Sequence, residues 1–470
     1  MFRLTLGEIA SAVDGKVVGD PDLVVTDLAT DSRLVKSGDL FAAIVGARTD
    51  AHNKVDEAIS AGAVATLCTK PVNGNYVILS DHQSTQLDPV IPALGKIAKY
   101  VRQQNSQLTV IGITGSSGKT TTKDVIGQVL ARHGSTYAPA ESPNNELGLP
   151  QTILQAPTET KYLVAEMGMR GLGHIAYLAD IAKPNISVVT NVGQAHIGEV
   201  GSIENIALAK SEIVRDLASN DFAVLNYDDT RVRKMAEVTK AKVCTYGFSA
   251  GVDFQAQNVS TKPTGACDFD LVHNGQSKRV SLQIPGEHNV YNALAAAAVA
   301  NLLGMPLDQI AQALSEVTIK SKWRMEVHQL NNAVTLINDA YNANPESMSA
   351  ALKTLASIET SGRRWAILGT MHELGNESLA EHDRIGRLAV RLNIDQLVVV
   401  GETAKALHLG AAQEGSWDGE SVWFADFAQA CDYICKRVQP NDVLLFKASR
   451  SEAFDRLADL VANQLNAEGK

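Results

Sequence analysis

The sequence predicts an α/β protein of three domains, with a doubly wound, mostly parallel sheet in the central one. Three observations lead to this prediction. The chain has 470 residues, which at roughly 150 residues per domain is too long for a single core. Short apolar runs of strand length alternate with helical patterns from about residue 108 onward. A glycine-rich turn joins one of these runs to a helix at residues 115–120.

The three domains are predicted to differ in size and content. Residues 1–82 are predicted to form a small N-terminal α/β domain. The polar segment from Asp81 to Pro89 is typical of a linker because it lacks apolar periodicity. Residues 83–318 are predicted to hold the central sheet. Residues 319–470 repeat the alternation of strands and helices, which indicates a C-terminal, Rossmann-like α/β domain.

Eight apolar runs are predicted to be buried strands. They begin at residues 108, 162, 186 and 222 in the central domain and at residues 334, 364, 396 and 442 in the third. Helical patterns are predicted from Pro89 to Gln104 and from Tyr291 to Leu303. The runs of the third domain end in Gly, Asp or Lys. Because ligands bind beyond the carboxyl ends of parallel strands, these endings predict a binding edge.

Composition and charge argue against several classes of protein. The formal net charge of −10 disfavours a nucleic-acid binder, which usually needs a basic face. The N-terminus has no pattern of a secretory signal, and the longest apolar run, Ala293 to Ala300, is far below the roughly 20 residues of a membrane helix. Five cysteines without a CxxC pair indicate a reduced, cytoplasmic protein. Cys431 and Cys435 are predicted to pack in a helical core rather than to bind a metal.

The strongest motif is a glycine-rich turn between an apolar strand and a helix. It reads Gly115-Ser116-Ser117-Gly118-Lys119-Thr120. Glycines let several backbone N–H groups point at one anion, and the helix N-terminus adds the positive end of its dipole. The lysine adds a full charge, and the threonine hydroxyl can hold Mg²⁺. The turn therefore predicts a nucleotide-phosphate site, and the alternative is a plain strand–helix turn with an exposed lysine.

The loop departs from the general phosphate-loop pattern at one position. Ile113 stands where that pattern has its first glycine, so the loop takes a tighter form, from Thr114 to Thr121. This form resembles the TGTNGKT loop of the Mur ligase and folylpolyglutamate synthetase superfamily, with Ser116 and Ser117 in place of its second threonine and its asparagine. The resemblance extends over essentially the whole chain, through segments such as PNNELGLP, TNVGQAHIGEVGS and YNANP.

The resemblance implies a site for ATP and Mg²⁺. It makes Thr120 and Glu166 ligands of one Mg²⁺ ion and places His196 near a second, with Glu166 and His196 among the catalytic residues. Taken alone, Glu166 is equally a strand-end carboxylate facing solvent, and an isolated histidine is more often structural. The resemblance makes Lys119 the catalytic lysine of the loop. The loop residues implied to bind the nucleotide are Thr114, Gly115, Ser116, Ser117, Gly118, Lys119, Thr120 and Thr121.

Lys210 lies in the middle of the apolar face of a predicted helix. That face consists of Ile203, Ile206, Ala207, Ile213, Val214 and Leu217. A lysine on a buried face must pair or lose its charge, unless its side chain extends to the surface. The resemblance implies that Lys210 is a catalytic residue carbamylated by CO₂, which makes it a carboxylate-like metal ligand. Carbamylation requires a site that favours the uncharged amine.

Further nucleotide contacts are implied toward the end of the central domain and in the third. Asn289 and Asn292 are three apart on a helix and share a face, and the resemblance assigns them to the base of the nucleotide. Asn289 is also suited to cap that helix. Arg324 resembles a catalytic arginine directed at the γ-phosphate. The remaining residues assigned to the nucleotide are Asp339, Tyr341 and Asn342.

Three residues of the first domain are candidates for substrate binding. Asp31, Ser32 and Arg33 resemble the segment that binds the UDP end of a cell-wall precursor. A hydroxyl and a guanidinium suit a diphosphate chemically. Without the resemblance, a surface turn would be the better interpretation.

The segments YNANP and LGTMHELG resemble the branch of the family that adds D-alanyl-D-alanine, and the sequence has no DNPR motif of the branch that adds the third amino acid. The resemblance implies a ligase that joins D-alanyl-D-alanine to UDP-N-acetylmuramoyl-tripeptide through an acyl phosphate, with release of ADP and phosphate, in peptidoglycan synthesis. It implies a cytoplasmic monomer without nucleic-acid partner or membrane insertion. Two alternatives stay open: another amide ligase of the superfamily, and a P-loop switch or motor that hydrolyses ATP without an amine acceptor.

Overall fold

The N-terminal part of the chain forms a small sheet flanked by helices. The computed structural model describes residues 2–79, 87–195, 197–415 and 419–467, so most of the predicted linker from Asp81 to Pro89 lies outside the described residues. The elements, numbered in chain order, are β1 (Leu4–Thr5), α1 (Leu6–Val13), β2 (Gly15–Val18), β3 (Val24–Val25), β4 (Asp27–Ala29), β5 (Asp39–Ala42), α2 (Val55–Ala61), β6 (Ala65–Cys68) and β7 (Tyr76–Leu79). The sheet has the order β2-β7-β6-β5-β4; β2 runs antiparallel to β7, and the other neighbours are parallel.

The central part is organised around a nine-stranded sheet. Its elements are α3 (Val90–Gln104), β8 (Thr109–Thr114), α4 (Lys119–Leu130), β9 (Thr136–Tyr137), α5 (Gly148–Leu154), β10 (Tyr162–Glu166), α6 (His174–Ala182), β11 (Ile186–Val189), α7 (Ile197–Val200), α8 (Ile203–Arg215), β12 (Phe222–Asn226), α9 (Thr230–Arg233), β13 (Lys242–Gly247), β14 (Phe254–Thr261), β15 (Ala266–His273), β16 (Gln276–Pro285), α10 (His288–Leu302) and α11 (Leu307–Ser315). The order is β16-β15-β14-β13-β12-β11-β8-β10-β9. The strands from β9 to β14 are parallel, and β14, β15 and β16 form an antiparallel extension.

The C-terminal part is a second α/β sheet with six strands. Its elements are β17 (Glu326–Gln329), β18 (Thr335–Asn338), α12 (Pro345–Ser357), β19 (Arg364–Leu368), α13 (Ser378–Arg391), β20 (Gln396–Val400), α14 (Lys405–Glu414), β21 (Ser421–Phe424), α15 (Phe427–Arg437), β22 (Val443–Lys447) and α16 (Phe454–Ala467). The order is β17-β18-β22-β19-β20-β21, parallel except for the edge strand β17. β19, β20 and β22 are apolar almost throughout, as strands covered by helices on both faces must be.

The register of the central strands places the glycine-rich turn between two strand ends. Glu166, the last residue of β10, is paired with Ile113 of β8, and Val189, the last residue of β11, is paired with Thr114. The turn that follows Thr114 therefore leaves the sheet at the same edge as the segments after β10 and β11. This edge is where ligands bind in open parallel sheets.

The N-terminal and central parts share one apolar core. Leu6 and Ile9 of α1 belong to the same buried cluster as Leu94 and Ile97 of α3, and all four side chains are fully buried. Burying an aliphatic side chain contributes roughly 1.5–3 kcal/mol. The contact between α1 and α3 therefore holds the small sheet firmly against the central one.

The structure confirms the eight predicted strands and corrects several neighbouring elements. The alanine-rich helix begins at His288 rather than Tyr291 and ends at Leu302, and α11 follows it. The antiparallel strands β14 to β17 and the edge strand β21 were not predicted. Cys431 and Cys435 are buried on α15, as predicted. The domain limits at residues 82 and 318 stay a prediction.

Within the described ranges, every helix is too short or too polar to span a membrane.

A buried aspartate ties the C-terminal sheet together. Asp442 is fully buried just before β22 and accepts hydrogen bonds from the backbone N–H groups of Arg363 and Gln439, at 2.7 and 2.9 Å. It also accepts from the Trp365 indole at 2.9 Å and from the Arg363 guanidinium at 2.9 Å. Trp365 is itself fully buried. Removing this carboxylate leaves several buried donors without an acceptor.

We expect Asp442→Ala to lower the free energy of unfolding by about 3 kcal/mol, because unpaired buried donors cost roughly 1–3 kcal/mol each. Differential scanning calorimetry of the full chain measures the loss as a lower Tm. Asp432→Ala is the matched control, since Asp432 pairs with Lys436 on the exposed face of α15; its effect should stay within about 0.5 kcal/mol. Equal Tm values for the two variants would contradict the role given to Asp442.

Candidate active site

A large cavity lies where the central sheet meets the C-terminal part. Its volume is about 470 Å³. The central part contributes the glycine-rich turn, the end of β10 and the first turns of α10, and the C-terminal part contributes the segments around Arg324 and Asp339. The predicted site residues that line it are Ser116, Ser117, Gly118, Lys119, Thr120, Thr121, Glu166, Asn289, Asn292, Arg324, Asp339, Tyr341 and Asn342. The sequence-based site is thus largely assembled in one place.

Two glycines shape the phosphate loop for different reasons. Gly118 has a φ of 78°, in the left-handed region that favours glycine. Residue 115 must be glycine because the loop backbone passes close to Thr190: a Cβ at residue 115 would lie 1.8 Å from the Thr190 hydroxyl oxygen. α4 begins directly after Gly118 without a side-chain cap. The uncapped N–H groups of its first turn are therefore available to an anion in the cavity.

Lys119 is held at the base of the loop. Its ammonium donates a hydrogen bond to the Gly115 carbonyl at 2.7 Å. Burial lowers the pKa of Lys119, the Glu166 carboxylate opposes that shift, and the Arg324 charge adds to it. A phosphate near these two cations would compensate their mutual repulsion.

Glu166 presents a buried carboxylate with unused hydrogen-bonding capacity. Its side chain is 2% exposed, so the solvent-facing alternative is wrong. Both carboxylate oxygens are buried and have no hydrogen-bond partner among the described residues. Thr120, also on the cavity wall, hydrogen-bonds through its hydroxyl to the Ser142 hydroxyl at 2.8 Å. A buried carboxylate with no partner is costly, and a hard divalent cation with oxygen ligands would satisfy it.

Lys210 is buried in α8, as its position on the apolar face predicted. It is 1% exposed, so extension to the surface is excluded. Burial lowers its pKa well below the ordinary value, and the charge of Lys119 adds to the shift. The side chain does not border the cavity itself, and neither do Thr114 and Gly115. His196, the remaining member of the predicted metal set, lies outside the described residues.

Asn292, supported by Asn289, ties α10 to α4, the helix that follows the phosphate loop. The Asn292 amide donates to the Asn289 side-chain oxygen at 2.8 Å and accepts from the Thr122 hydroxyl at 3.0 Å. Asn289 donates to the Pro285 carbonyl at 2.7 Å. The prediction that Asn289 caps the helix is wrong, since α10 begins one residue before it. Both asparagines face the cavity with amides already partly engaged.

The C-terminal part contributes two kinds of polar group. Arg324 stacks on Tyr341, with 4.1 Å between the guanidinium carbon and the ring centroid, and its buried Nε has no hydrogen-bond partner among the described residues. Asp339, in contrast, is paired with Lys447 at 2.6 Å and accepts the Met325 N–H at 3.1 Å. The Arg324 guanidinium can therefore still pair with an anion, whereas the Asp339 carboxylate already has hydrogen-bond partners.

Several lining residues were missed from the sequence. Lys447 ends β22, one of the strand ends predicted to form a binding edge, but it was not named as a site residue; Asn191 lies two residues after β11, and its position near a strand end was the available signal. His288 begins α10, and burial lowers its pKa to about 4. Other lining residues were not singled out, although four of the five lie in the quoted segments PNNELGLP and LGTMHELG. They are Asn144, Asn145, Glu146, Arg170 and Glu373.

The predicted substrate residues of the first domain lie away from this cavity. Asp31 caps a 3-10 turn at Ser32–Leu34, and its hydrogen bonds with Arg33 lower its pKa to about 2. Ser32 donates to the Glu57 carboxylate at 2.9 Å. Arg33 is exposed apart from its pair with Asp31. The arrangement is compatible with a surface turn as well as with a diphosphate site.

Models of one protein family match three successive stretches of the chain. Residues 24–108 match the Mur ligase family, catalytic domain; residues 113–300 match the Mur ligase middle domain; and residues 323–450 match the Mur ligase, glutamate ligase domain. The three matches overlap, in chain order, the five-stranded, the nine-stranded and the six-stranded sheet.

Individual relatives are similar along the whole chain. The UDP-N-acetylmuramoyl-tripeptide–D-alanyl-D-alanine ligase of Mycobacterium leprae is 40% identical over 98% of both proteins, and that of Bacillus subtilis is 33% identical over 99% of this chain and 100% of the relative. MurF from Acinetobacter baumannii has a TM-score of 0.88 at 32% identity, covering 98% of this chain and 99% of that one. MurF from Thermotoga maritima, solved in complex with ADP, has a TM-score of 0.81 at 28% identity, covering 94% and 99%. The chain therefore belongs to the Mur ligase family, in its MurF branch.

Proposed function

We propose that this chain is an ATP-dependent, ADP-forming ligase that joins D-alanyl-D-alanine to UDP-N-acetylmuramoyl-tripeptide in peptidoglycan precursor synthesis. The observation that carries the proposal is the convergence of the phosphate loop, the buried Glu166 carboxylate and Arg324 on one cavity. Relatives that bear this ligase name over their whole length add support.

The proposed reaction overcomes the inertness of a carboxylate toward an amine at neutral pH. The terminal carboxylate of the tripeptide takes the γ-phosphoryl group of ATP, and ADP leaves. The neutral amine of D-alanyl-D-alanine then attacks the acyl phosphate, and phosphate departs as the amide forms. Lys119 and Arg324 stabilise the negative charge on the transferred phosphoryl oxygens.

The remaining residues are assigned to binding and orientation. The loop from Thr114 to Thr121 holds the triphosphate through backbone N–H groups. Asn289 and Asn292 are assigned to the nucleobase, and Asn292 also hydrogen-bonds from α10 to Thr122 of α4. Tyr341 orients Arg324 by stacking. The other assignments are Asp339 and Asn342 to the nucleotide and Asp31, Ser32 and Arg33 to the UDP end of the precursor.

The residues around Glu166 fit Mg²⁺. Glu166 offers two unpartnered oxygens and Thr120 a hydroxyl, and oxygen ligands of this kind suit a hard cation. His196 is also assigned to metal binding in this proposal. When bound, Mg²⁺ neutralises charge on the phosphate oxygens. Glu166 and Thr120 would hold the ion beside the loop, so that it accompanies the nucleotide.

We assign Lys210 to carbamylation by CO₂. Its neutral amine adds to the carbon of CO₂ and loses a proton, which gives an N-carboxylate that can act as an anionic metal ligand. The lowered pKa favours the uncharged amine that this addition requires.

ATP and nucleotide-linked precursors place the reaction in the cytoplasm, and a monomer suffices because one chain supplies the whole cavity.

The rival function is a P-loop switch or motor, which hydrolyses ATP without an amine. We expect phosphate release with UDP-muramoyl-tripeptide present to depend on D-alanyl-D-alanine, because amide formation turns over the acyl phosphate. A phosphate-release assay with the dipeptide added or withheld, combined with mass analysis of the product, measures this. Turnover indifferent to the dipeptide, with no new amide, would favour the motor.

Lys119→Ala is expected to reduce amide formation by at least about 10³-fold, because it removes a charge from the transferred phosphoryl group. The far-UV circular dichroism and Tm should stay close to those of the parent protein. Lys96→Ala is the control, since Lys96 pairs with Asp14 at the surface and lies far from the loop. Retained activity in Lys119→Ala would refute the assignment of the loop.

Lys210→Ala is expected to be inactive and to regain activity with small carboxylic acids such as formate or acetate, because they replace the proposed N-carboxylate. Intact-protein mass spectrometry after carbamate trapping supplies a readout independent of activity. Lys123→Ala is a matched control: Lys123 is equally buried, but its ammonium donates to the Glu141 carbonyl and pairs with Asp124. An unmodified amine at Lys210, together with no rescue of Lys210→Ala by carboxylic acids, would contradict the assignment.

A further inference from the structure

The C-terminal part contacts the phosphate loop and the segment after β11 at specific polar points. The Glu346 carboxylate, in the first turn of α12, accepts the Gln194 N–H through Oε1 at 2.8 Å. Asn344, which caps α12, donates from its side chain to the Ser116 carbonyl at 3.3 Å. The Glu373 carbonyl accepts the Gly198 N–H at 3.1 Å. The start of α12 therefore reaches the phosphate loop both directly and through the segment of residues 191–195.

That segment is joined to the phosphate loop by its own hydrogen bonds. The Ser116 hydroxyl accepts the Gly193 N–H at 2.8 Å and donates to the Gly193 carbonyl at 3.1 Å. Asn191 accepts the Ser116 N–H through its carbonyl at 3.1 Å and the Ser117 N–H through its side chain at 3.0 Å. A displacement of Gly193 or Gln194 would therefore be transmitted to the two serines of the loop.

The Glu346 side chain lies directly over Gly193. A Cβ at Gly193 would lie 2.5 Å from Cδ, 2.6 Å from Oε1 and 2.8 Å from Cγ of Glu346. Gly193 is not among the glycines with positive φ, so its backbone tolerates a side chain. A side chain at residue 193 would therefore displace the Glu346 carboxylate when the two parts are docked.

The Glu346 contact is suited to reversible docking. Its Oε1 gains a hydrogen bond, but its Oε2 is buried without a hydrogen-bond partner among the described residues. When the C-terminal part moves away, both oxygens can be hydrated, so docking exchanges water for a single protein donor. Such a contact fixes geometry without binding the two parts so tightly that product release is prevented.

We propose that Glu346 is a positioning residue, which sets the phosphate loop through Gln194, Gly193 and Ser116 only when the C-terminal part is docked. The proposal rests on the proposed ligase function. In the docked arrangement the cavity excludes water and the loop holds the phosphoryl group in place. Without Glu346 the phosphate loop adopts its productive conformation less often in the closed cavity. Water then competes with the amine for the acyl phosphate.

The first test compares Glu346→Ala with the parent protein for amide formed and phosphate released. We expect the amide kcat to fall about tenfold, the effect of losing one hydrogen bond to a charged group. The ratio of phosphate to amide, near one in a coupled ligase, should rise to about two or more because water intercepts the acyl phosphate. An unchanged ratio would overturn the proposal, even if kcat falls. Glu359→Ala, at an exposed glutamate just after α12, is the control.

The second test is a double-mutant cycle with Gly193→Ala. Alone, this change should reproduce the raised ratio of Glu346→Ala, because its Cβ displaces the carboxylate. In the Glu346→Ala background, Gly193→Ala should lower the amide kcat by less than about twofold, because the clashing atoms are gone. Additive losses would show that the two residues act independently and would overturn the proposal.

The third test is the conservative variant Glu346→Gln. Its amide oxygen can accept the Gln194 N–H, so kcat should recover to within about threefold of the parent and the ratio should return to near one. Activity as low as that of Glu346→Ala would show that the charge matters and not the positioning contact. If the parent protein forms no amide at all, the proposed function fails instead, so the two failures are distinguishable.

Discussion

The parallel register of β8 with β10 and β11 is the constraint on which the rest of the structure depends. It makes three chain segments leave the sheet at one edge, so that the phosphate loop, Glu166 and the segment after β11 become neighbours. The buried, nearly continuous apolar strands hold this register, because a slip would expose their side chains or bury polar ones. The phosphate loop and Glu166, which line the cavity, are both positioned from this edge.

Polar groups around the cavity fall into two classes with different physical roles. Asn292 and the Asp339–Lys447 pair have protein partners and build the frame of the site. Glu166 and the Nε of Arg324 are buried without partners among the described residues. Their desolvation destabilises the fold by itself, and a ligand that pairs with them recovers that energy. The site is therefore arranged for an anion and a cation together.

Docking of the C-terminal part completes the site. Arg324 comes from this part, and Asn344 and Glu346 contact the phosphate loop and the segment next to it. A ligase that forms a water-sensitive intermediate benefits from a site that is complete only when closed, since closure assembles the cations and excludes water in one event. The single hydrogen bond of Glu346 fits such a transient closed state.

Local patterns predicted the strands and the phosphate loop well because both depend on short stretches of sequence. The apolar runs that became β8, β10, β11 and β12 had to be buried whatever packed against them. The position of Lys210 on an apolar helix face was sufficient to predict its burial. The antiparallel extension β14–β16 was not predicted, because its strands are only partly buried and their polar positions obscure the period of two.

The sequence by itself determined the family, the class of fold and the loop that suits a nucleotide phosphate, because each is encoded by contiguous residues and their spacing. Only the tertiary structure decided which side chains share the cavity, that Asn292 braces Thr122, and that Glu346 lies over Gly193. These contacts join residues that are far apart in the chain. Their energies depend on packing and desolvation, which no local pattern specifies.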